Sequence, residues 1–322
     1  MTKQAVLLLA HGTPENVEQI PEYLRNVVSG RPLPQHVIEE IQHRYSLIGR
    51  SPLTEITMEQ ARLVERELAS SGLDARVYVG MRNWRPYIPD VVRQMRGDGV
   101  EEAAVICLAP QNSRTSVGLY RRAVQAEAGP LRIDFTEGWA RHPLLAEAFA
   151  ERLRPAMAKM ESETGGPVPV LFTAHSVPLR TVEPASNDGT AGQQRLWPGQ
   201  GADPYATEAR HTAELVAERV LGIPRWWFAF QSQGASGGPW IGPSVEETLD
   251  EMAAVGVKTL LLQPIGFLCD HVEILYDVDI LFREYAKKLG VRLERPESLN
   301  DSATLAKAVA NLGLEGIARL NT

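Results

Sequence analysis

Residues 264–279 combine apolar side chains with carboxylates at a spacing that can do chemistry. If the segment is helical, Glu273 and Asp277 lie four residues apart on one face, and Asp270 is placed to cap the first turn. Two neighbouring ionised carboxylates repel each other unless a cation lies between them or one of them binds a proton. The pattern therefore outlines a metal or proton site. The alternative is a capping box, with Asp270 as the cap, Glu273 at the third position and Asp277 in solvent.

Two histidines follow apolar runs of the kind that form buried strands. His11 comes directly after Ala5–Ala10, and His175 follows Val168–Thr173. An imidazole at the end of a strand is either a hydrogen-bonded core group or a ligand, and the residues alone leave both readings open for each histidine. Imidazoles and carboxylates without thiolates suit Fe(II), Mn(II), Co(II) or Zn(II). The pattern thus predicts a divalent metal, bound weakly enough to be passed on.

The elements that must position these groups alternate along the chain. Six apolar runs are predicted to be strands buried on both faces: Ala5–Ala10, Arg76–Val79, Ala103–Leu108, Val168–Thr173, Trp227–Phe230 and Thr259–Leu262. Seven stretches with amphipathic spacing are predicted to be helices: Pro34–Tyr45, Glu55–Ser70, Tyr87–Met95, Ser116–Ala128, Pro143–Met160, Ala206–Leu221 and Val245–Ala254. Strands that alternate with helices indicate an α/β fold with parallel sheets.

An internal repeat divides the chain into two similar halves. The motif A-H-x-x-P occurs at 10–14 and again at 174–178, each time after a predicted strand. We therefore expect two similar α/β domains, at 1–140 and 141–322. Ligands bind at the carboxyl ends of strands in such sheets, so two facing domains would bring both histidines to one cleft. The alternative is one long sheet with a coincidental match. Residues 184–201, rich in Gly, Pro, Asn and Ser, are predicted to be a loop or lid beside His175.

Composition and missing motifs exclude several classes of function. The 322 residues carry 33 Lys and Arg against 40 Asp and Glu, a net charge of −7 without a basic block, so no nucleic acid partner is expected. Cys107 and Cys269 form no disulfide framework and no C-x-x-C site. Phosphate-loop and dinucleotide-binding motifs are absent, so no nucleotide is expected. The sequence has neither a secretory signal pattern nor an apolar run as long as a membrane span, and a cytoplasmic location is expected.

Taken together, these segments resemble the ferrochelatases, which insert Fe(II) into a porphyrin. The matching segments run in order along the chain: L-L-A-H-G-T-P at 8–14, R-Y-S-L-I-G-R-S-P-L at 44–53, V-G-M-R at 79–82, L-A-P-Q-N-S at 108–113, A-H-S-V-P at 174–178, D-P-Y at 203–205, F-Q-S-Q-G at 230–234, W-I-G-P at 240–243 and P-I-G-F-L-C-D-H-V-E-I-L-Y-D at 264–277. The resemblance implies two similar Rossmann-like domains with parallel sheets that flank a porphyrin cleft.

The resemblance also implies roles for the site residues. His175 and Glu273 would be the catalytic pair and the Fe2+ ligands, and Asp277 would extend Glu273 as an outer ladder. Metal insertion takes in one M²⁺ and releases two pyrrole protons, which requires both a metal ligand and a proton acceptor. Fe2+ is then a substrate, and the charge balances without a nucleotide. The terminal cysteines that bind an iron–sulfur cluster in some family members are absent, so no cluster is expected.

Within the family, the short polar connection at 29–32 is similar to the coproporphyrin III ferrochelatases. By that resemblance the porphyrin-binding residues are Arg44, Tyr45, Ser51 and Tyr120, to which we add Arg31 and His11. Arginines and hydroxyls suit a substrate with four carboxylates.

Two positions depart from that pattern. His11 stands where the coproporphyrin enzymes usually place a tyrosine, and axial ligation of the product iron by His11 is a hypothesis. Leu281 stands where the acidic ladder usually continues, so no second metal site is expected there.

Three alternatives stay open. The chain could be a protoporphyrin IX ferrochelatase, a chelatase that inserts Co²⁺ or Ni²⁺ into a more reduced tetrapyrrole, or a non-catalytic porphyrin- or haem-binding protein in which His11 is an axial ligand. The two ferrochelatase readings share one chemistry. The presence of both His175 and Glu273 speaks against a carrier. A transient contact with a downstream haem-pathway enzyme is also expected.

Overall fold

The first half of the chain forms a parallel sheet. The computed structural model describes residues 3–182, 203–233 and 238–322. Four strands hydrogen-bond in the order β2-β1-β3-β4, all of them parallel: β1 Gln4–Ala10, β2 Arg76–Met81, β3 Glu102–Cys107 and β4 Arg132–Thr136. The inner strands are apolar and buried on both faces, as the sequence predicts.

The second half repeats this arrangement. Its four strands run parallel in the order β6-β5-β7-β8: β5 Val170–His175, β6 Trp226–Gln231, β7 Thr259–Pro264 and β8 Arg292–Glu294. The strand order is that of the first sheet, which confirms the α/β class and the internal repeat. All six predicted strands are present, with small shifts at their ends. β4 and β8 were not predicted, because β4 is a partly exposed edge strand with alternating polar residues and β8 has three residues.

Helices cover the faces of both sheets. The α-helices of the described residues are α1 Ile20–Val27, α2 Gln35–Ile48, α3 Leu53–Ser70, α4 Ile88–Gly97, α5 Val117–Ala128, α6 Pro143–Thr164, α7 Leu179–Val182, α8 Tyr205–Arg219, α9 Val245–Ala254, α10 Arg283–Lys288 and α11 Ala303–Leu320. A π-helix occupies Glu273–Phe282. All seven predicted helices form, with end shifts of a few residues. Among the described residues, no helix is both long and apolar enough to cross a membrane.

Helix α11 belongs by sequence to the second half but packs on the first sheet. Gly316 lies so close to β3 that a side-chain Cβ there would be 2.7 Å from the Cβ of Ala104. Arg319 forms a two-pronged ion pair with Asp134 of β4, at 2.9 and 2.8 Å. The helix therefore completes the core of the first half. The division into domains at residue 140 stays a prediction.

The two sheets place both histidines at equivalent points. β1 lies between β2 and β3, and β5 lies between β6 and β7, so in each sheet the second strand is added on one side of the first strand and the later strands on the other. The carboxyl end of such a strand is where open α/β sheets bind ligands. His11 follows β1 and His175 ends β5. The segment 184–201, predicted to be a loop or lid, lies outside the described residues.

Candidate active site

His175 is held by both its ring and its backbone. Its Nδ1 hydrogen-bonds to the carbonyl oxygen of Ser176, and its own carbonyl oxygen accepts from the Tyr205 hydroxyl at 2.8 Å. A carbonyl oxygen only accepts, so Nδ1 carries the hydrogen in every protonation state of this ring. The other nitrogen, Nε2, lies 3.2 Å from Oε1 of Glu273. Nε2 is therefore the atom that can exchange a proton for a metal ion.

Glu273 lies between two imidazoles. It begins the π-helix, nine residues after β7 ends, and its Oε2 is 3.2 Å from Nε2 of His271. The Nδ1 atom of His271 faces the carbonyl oxygen of Cys269 at 3.1 Å. As in His175, Nδ1 therefore carries the hydrogen and Nε2 faces the carboxylate. His271 was not predicted as a site residue. The signal was in the segment D-H-V-E, where an imidazole stands two residues from a carboxylate after an apolar strand.

The pKa values of the pair move in opposite directions. Burial tends to raise the pKa of Glu273, but the charges and hydrogen bonds of His175 and His271 outweigh it and hold that pKa well below 4.5. Burial tends to lower the pKa of His175, but the charge and hydrogen bond of Glu273, the Ser176 carbonyl and Asp277 outweigh it and raise that pKa above 6.5. The ionised carboxylate thus lies beside an imidazole with a raised proton affinity. Such a pair can accept and release protons.

Asp277 is buried and held by two donors. The Ser232 hydroxyl hydrogen-bonds to its Oδ2, and Nη1 of Arg44 lies 3.5 Å from its Oδ1. Burial, together with the charge of Glu273, raises the pKa of Asp277 to about 6 despite these two partners. Arg44 lies on α2 in the first half, so this ion pair joins the two halves of the molecule beside the His175–Glu273 pair.

Asp270 is not the cap of the helix that carries Glu273. The helix begins at Glu273 as a π-helix whose first turn has no side-chain cap. The Asp270 carboxylate instead accepts from Asn300 at 2.9 Å and from Ser298 at 2.7 Å, and it pairs with Arg295 at 3.1 Å. The expected cap role of Asp270 is therefore wrong, and so is the capping-box alternative. A partly buried guanidinium binds the carboxylate more strongly than backbone N–H groups at a helix end.

Arg295 connects the two ends of the segment that carries the site. Besides Asp270, it donates from Nε and Nη2 to the two carboxylate oxygens of Asp279, each at 2.8 Å. Asp270 precedes Glu273 and Asp279 follows it, so one guanidinium fixes the π-helix on both sides of Glu273. Arg295 is only about one-tenth exposed, with 11% of its side chain accessible. The arrangement makes Arg295 a positioning residue.

His11 is uncharged at physiological pH. Its Nε2 lies 2.9 Å from the Tyr23 hydroxyl, and the Asn83 amide nitrogen lies 3.2 and 3.1 Å from the two ring nitrogens. Burial lowers the pKa of His11 to about 4, and the charge of Glu273 opposes this only in part. A neutral imidazole has a lone pair for a metal ion. Axial ligation of product iron by His11 stays a prediction.

The remaining predicted porphyrin contacts differ in their surroundings. Arg31 is exposed on the surface after α1 and donates from Nε to the Val28 carbonyl at 3.0 Å. Tyr45, Ser51 and Tyr120 are buried, and burial raises the pKa of both tyrosines. No contact within the described part of the chain joins Arg31 to this group.

The described residues include no cluster of three or more His, Cys, Asp or Glu side chains arranged to hold a metal ion. His175 and Glu273 are nevertheless in direct contact at 3.2 Å, with His271 on the second carboxylate oxygen. This arrangement offers one nitrogen and one carboxylate on the side where the two sheets present their carboxyl ends.

The fold is similar to that of chelatases of known structure. SirB from Bacillus subtilis with Fe3+ has a TM-score of 0.56 and 14% identity, over 99% of this chain and 98% of that one. The sirohydrochlorin chelatase SirB from Bacillus subtilis subspecies spizizenii in complex with cobalt has a TM-score of 0.52 and 12% identity, over 99% of this chain and 95% of that one. These likenesses define a chelatase fold, and at such identities they show the fold alone.

Sequence comparisons identify the family. The ferrochelatase family model matches residues 3–316. The chain is 60% identical to a ferrochelatase of Acidobacterium capsulatum, with 99% of this chain and 96% of the relative covered. It is 33% identical to a coproporphyrin III ferrochelatase of Mycolicibacterium vanbaalenii, over 97% and 89% of the two chains. The chain belongs to the ferrochelatase family, whose reaction is the insertion of Fe2+ into a porphyrin. The resemblance identified from the sequence is thereby confirmed.

Proposed function

We propose that this ferrochelatase inserts Fe(II) into coproporphyrin III, giving Fe-coproporphyrin for haem biosynthesis and releasing two protons. As a metal insertion into a tetrapyrrole, the reaction places the enzyme among the lyases. The observation that carries the choice of porphyrin is a group of polar atoms without partners between residues 44 and 51. The Nε of Arg44, the Tyr45 hydroxyl and the Ser51 hydroxyl are buried, and none has a hydrogen-bond partner among the described residues.

Buried polar groups without partners cost free energy unless a ligand supplies the missing bonds. Arg44, Tyr45 and Ser51 all have N–H or O–H groups that donate, so the ligand that satisfies them carries acceptors. The carboxylates of a porphyrin are such acceptors, and coproporphyrin III has four of them. Relatives named coproporphyrin III ferrochelatase, at 31–33% identity, support the same choice.

In this proposal His175 and Glu273 divide the chemistry. In its neutral form, His175 presents the lone pair of Nε2 to the incoming Fe2+, while Nδ1 keeps its hydrogen on the Ser176 carbonyl. Glu273 accepts protons from the pyrrole nitrogens at the carboxylate that faces both imidazoles. One M²⁺ enters and two protons leave, so the charge of the complex is unchanged. The transferred protons then pass to solvent.

Asp277 is the outer member of the proposed metal path. Its carboxylate is engaged by Arg44 in this structure, and Leu281, one turn further, is 40% exposed and offers no ligand. A porphyrin carboxylate that binds Arg44 competes directly with Asp277 for that guanidinium. Substrate binding would thereby free Asp277 to interact with a cation on its way to Glu273.

An anaerobic assay tests the choice of porphyrin. Fe2+ is offered with coproporphyrin III and with protoporphyrin IX in parallel, and metal insertion is followed by absorbance. We expect a clearly larger kcat/KM for coproporphyrin III, and Arg44→Ala is expected to reduce it. A preference for protoporphyrin IX would contradict the coproporphyrin assignment and leave the ferrochelatase activity intact.

A second assay separates an enzyme from a carrier. His175→Ala is expected to abolish metal insertion while porphyrin binding persists, because Nε2 of His175 contacts the metal and not the porphyrin carboxylates. If the wild type binds porphyrin without turnover and His175→Ala loses that binding, the result would favour a non-catalytic haem-binding protein. The product keeps four carboxylates, so a decarboxylating haem-pathway enzyme is the expected transient partner.

A further inference from the structure

Gln231 is a buried amide that reaches from the second sheet to the helix of the active site. It is the last residue of β6, and 1% of it is exposed. In the parallel pairing of the sheet it lies opposite His175, the last residue of β5, and its carbonyl oxygen accepts from the Ser176 N–H at 2.6 Å. Paired residues of neighbouring strands point to the same face of a sheet, so the side chains of Gln231 and His175 leave the sheet on one side.

Both ends of the Gln231 amide make hydrogen bonds. Its Oε1 accepts from the Thr173 hydroxyl at 2.6 Å, and its Nε2 donates to the Glu273 carbonyl at 3.2 Å. A carbonyl oxygen only accepts, so the nitrogen of the amide must face Glu273 and its oxygen must face Thr173. The Thr173 hydroxyl, which is fully buried, therefore fixes the orientation in which the amide holds Glu273.

The amide contacts the backbone of the residue that carries the carboxylate of the proposed catalytic pair. Glu273 is the first residue of the π-helix. Its carbonyl carbon is bonded to its own Cα, so a donor fixed to this carbonyl restrains the atom from which the carboxylate extends. Thr173 lies two residues before His175, on the same strand and the same face. Thr173 and Gln231 thus join the start of the π-helix to the strand that ends in His175.

The distance between the two side chains of the pair suits a metal ion. Nε2 of His175 and Oε1 of Glu273 are 3.2 Å apart. Imidazole nitrogens and carboxylate oxygens bind a divalent ion such as Zn²⁺ at about 2.0–2.2 Å, so two such ligands at tetrahedral or octahedral angles lie roughly 3–3.5 Å from each other. The pair is therefore preorganised, and the start of the helix does not have to move when the ion arrives.

We propose that Thr173 and Gln231 are positioning residues for metal insertion, which set the distance between Nε2 of His175 and the Glu273 carboxylate. This inference rests on the roles proposed for His175 and Glu273 and does not depend on which porphyrin is the substrate. Neither Thr173 nor Gln231 contacts the metal or the porphyrin; they act through the Glu273 backbone. A displacement of about 1 Å in such a site costs roughly 100-fold in rate.

The test uses Thr173→Val in the full-length protein, because this substitution removes the hydroxyl and keeps the shape of the side chain. Anaerobic initial rates are measured with Fe2+ and the porphyrin that the wild type prefers, at a temperature where circular dichroism shows every variant to be folded. We expect kcat/KM for Fe2+ to fall roughly 10- to 100-fold, with the porphyrin dissociation constant from fluorescence quenching unchanged. A loss of porphyrin affinity in the same proportion would show a general disturbance of the cleft and overturn the proposal.

Thr248→Val is the matched control. Thr248 is a buried threonine on α9 of the second half, and its hydroxyl donates to the Ser244 carbonyl at 2.8 Å. This variant is expected to keep the wild-type kcat/KM for Fe2+. Thr173→Ser retains the hydroxyl and is expected to recover most of the activity that Thr173→Val loses. An equal loss in Thr248→Val, or no recovery in Thr173→Ser, would assign the effect to packing, against the proposal.

A double variant shows whether the hydroxyl acts through the amide. Gln231→Met removes both amide hydrogen bonds and keeps a side chain of similar length. If Thr173 acts only by orienting that amide, Thr173→Val combined with Gln231→Met is expected to lose no more activity than Gln231→Met alone. Losses that multiply would show two independent effects and contradict the proposed series of contacts.

The failure of this inference is distinguishable from the failure of the proposed function. His175→Ala and Glu273→Gln test the pair itself, and if either kept the wild-type rate, the pair and the positioning role would fail together. If both variants lose activity while Thr173→Val and Gln231→Met behave as the wild type, the pair stands and the positioning role fails alone.

Discussion

Glu273→Gln removes the charge at the centre of the site while keeping the shape of the side chain. In the wild type, the two carboxylate oxygens face Nε2 of His175 and Nε2 of His271, each at 3.2 Å. The amide has one oxygen and one NH₂ group, so it accepts from one imidazole and donates to the other. Both Nδ1 atoms are committed to carbonyl oxygens, so the second imidazole must present its Nε2 lone pair to the amide. The Nε2 lone pair of that imidazole is then occupied; for His175 this is the lone pair that the proposed function assigns to Fe2+.

The expected loss of activity in Glu273→Gln follows from the distance between Glu273 and His175 and from the proposed role of Glu273 as proton acceptor. Two unit charges 3.2 Å apart attract by about 5 kcal/mol at an effective dielectric constant of about 20, and burial of the two groups offsets part of this. Removing a positioned proton acceptor costs roughly 10²- to 10⁴-fold in rate, or about 3–5 kcal/mol of activation free energy. We therefore expect kcat for metal insertion to fall by roughly 10²- to 10⁴-fold in Glu273→Gln, with coproporphyrin affinity unchanged.

The pH dependence of kcat/KM for Fe2+ gives an independent check of the direction in which Glu273 shifts the pKa of His175. Protonated Nε2 of His175 cannot bind Fe2+, so kcat/KM for the metal rises with pH through the pKa of His175. Glu273 raises that pKa above 6.5 in the wild type, against burial, which lowers it. Without the carboxylate the pKa falls, and the midpoint of the acid limb in Glu273→Gln is expected to lie at lower pH than in the wild type.

The measurements are anaerobic initial rates over a pH series and porphyrin binding by fluorescence quenching. Glu284→Gln, an exposed carboxylate on α10 just after the π-helix, is the matched control and is expected to behave as the wild type. If Glu273→Gln kept kcat within tenfold of the wild type and an unshifted acid midpoint, Glu273 would not be the proton acceptor.

Three further predictions concern positioning, packing and ligation. Arg295→Gln is expected to lower kcat/KM for Fe2+ about tenfold in steady-state kinetics, because Asp270 and Asp279 lose their common partner. Arg295→Lys is expected to show a smaller loss. Gly316→Ala brings a Cβ to 2.7 Å from that of Ala104 and is expected to destabilise the protein by about 1–3 kcal/mol, measured by urea unfolding. Gly97→Ala has open space at its Cβ and is expected to leave the stability unchanged. His11→Ala is expected to change the absorption spectrum of bound Fe-coproporphyrin with turnover retained; an unchanged spectrum would contradict axial ligation.

The fold was predictable where burial leaves a clear pattern in the sequence. Inner strands such as β1 and β3 are buried on both faces, and their continuous apolar runs identify them. The edge strand β4 alternates polar and apolar residues over five positions, and β8 spans three, too few for a period. The place of α11 was not predictable either, because amphipathic spacing shows that a helix packs against something and does not show which sheet it packs against.

The candidate site shows a similar division. The strand ends located His11 and His175, and the resemblance to a family paired His175 with Glu273, which lies 98 residues away in sequence and in hydrogen-bond contact. Spacing alone could not distinguish an α-helix from a π-helix after Glu273. It also could not foresee that Arg295, 25 positions after Asp270, occupies that carboxylate. Contacts between distant residues of this kind depend on tertiary structure and leave no local pattern.

The position of α11 has a consequence for folding during synthesis. β4 ends at Thr136, but the helix that covers β3 and β4 begins only at Ala303. At about 5–20 residues per second, the ribosome needs on the order of ten seconds or more to produce that helix after the first sheet has emerged. Throughout this interval the part of that sheet's face formed by β3 and β4 lacks its native cover, while α3 is already present to pack beside β1 and β2. We therefore expect the nascent chain to expose apolar surface that a holding chaperone can bind, and slower translation of the last part of the chain to lengthen that exposure.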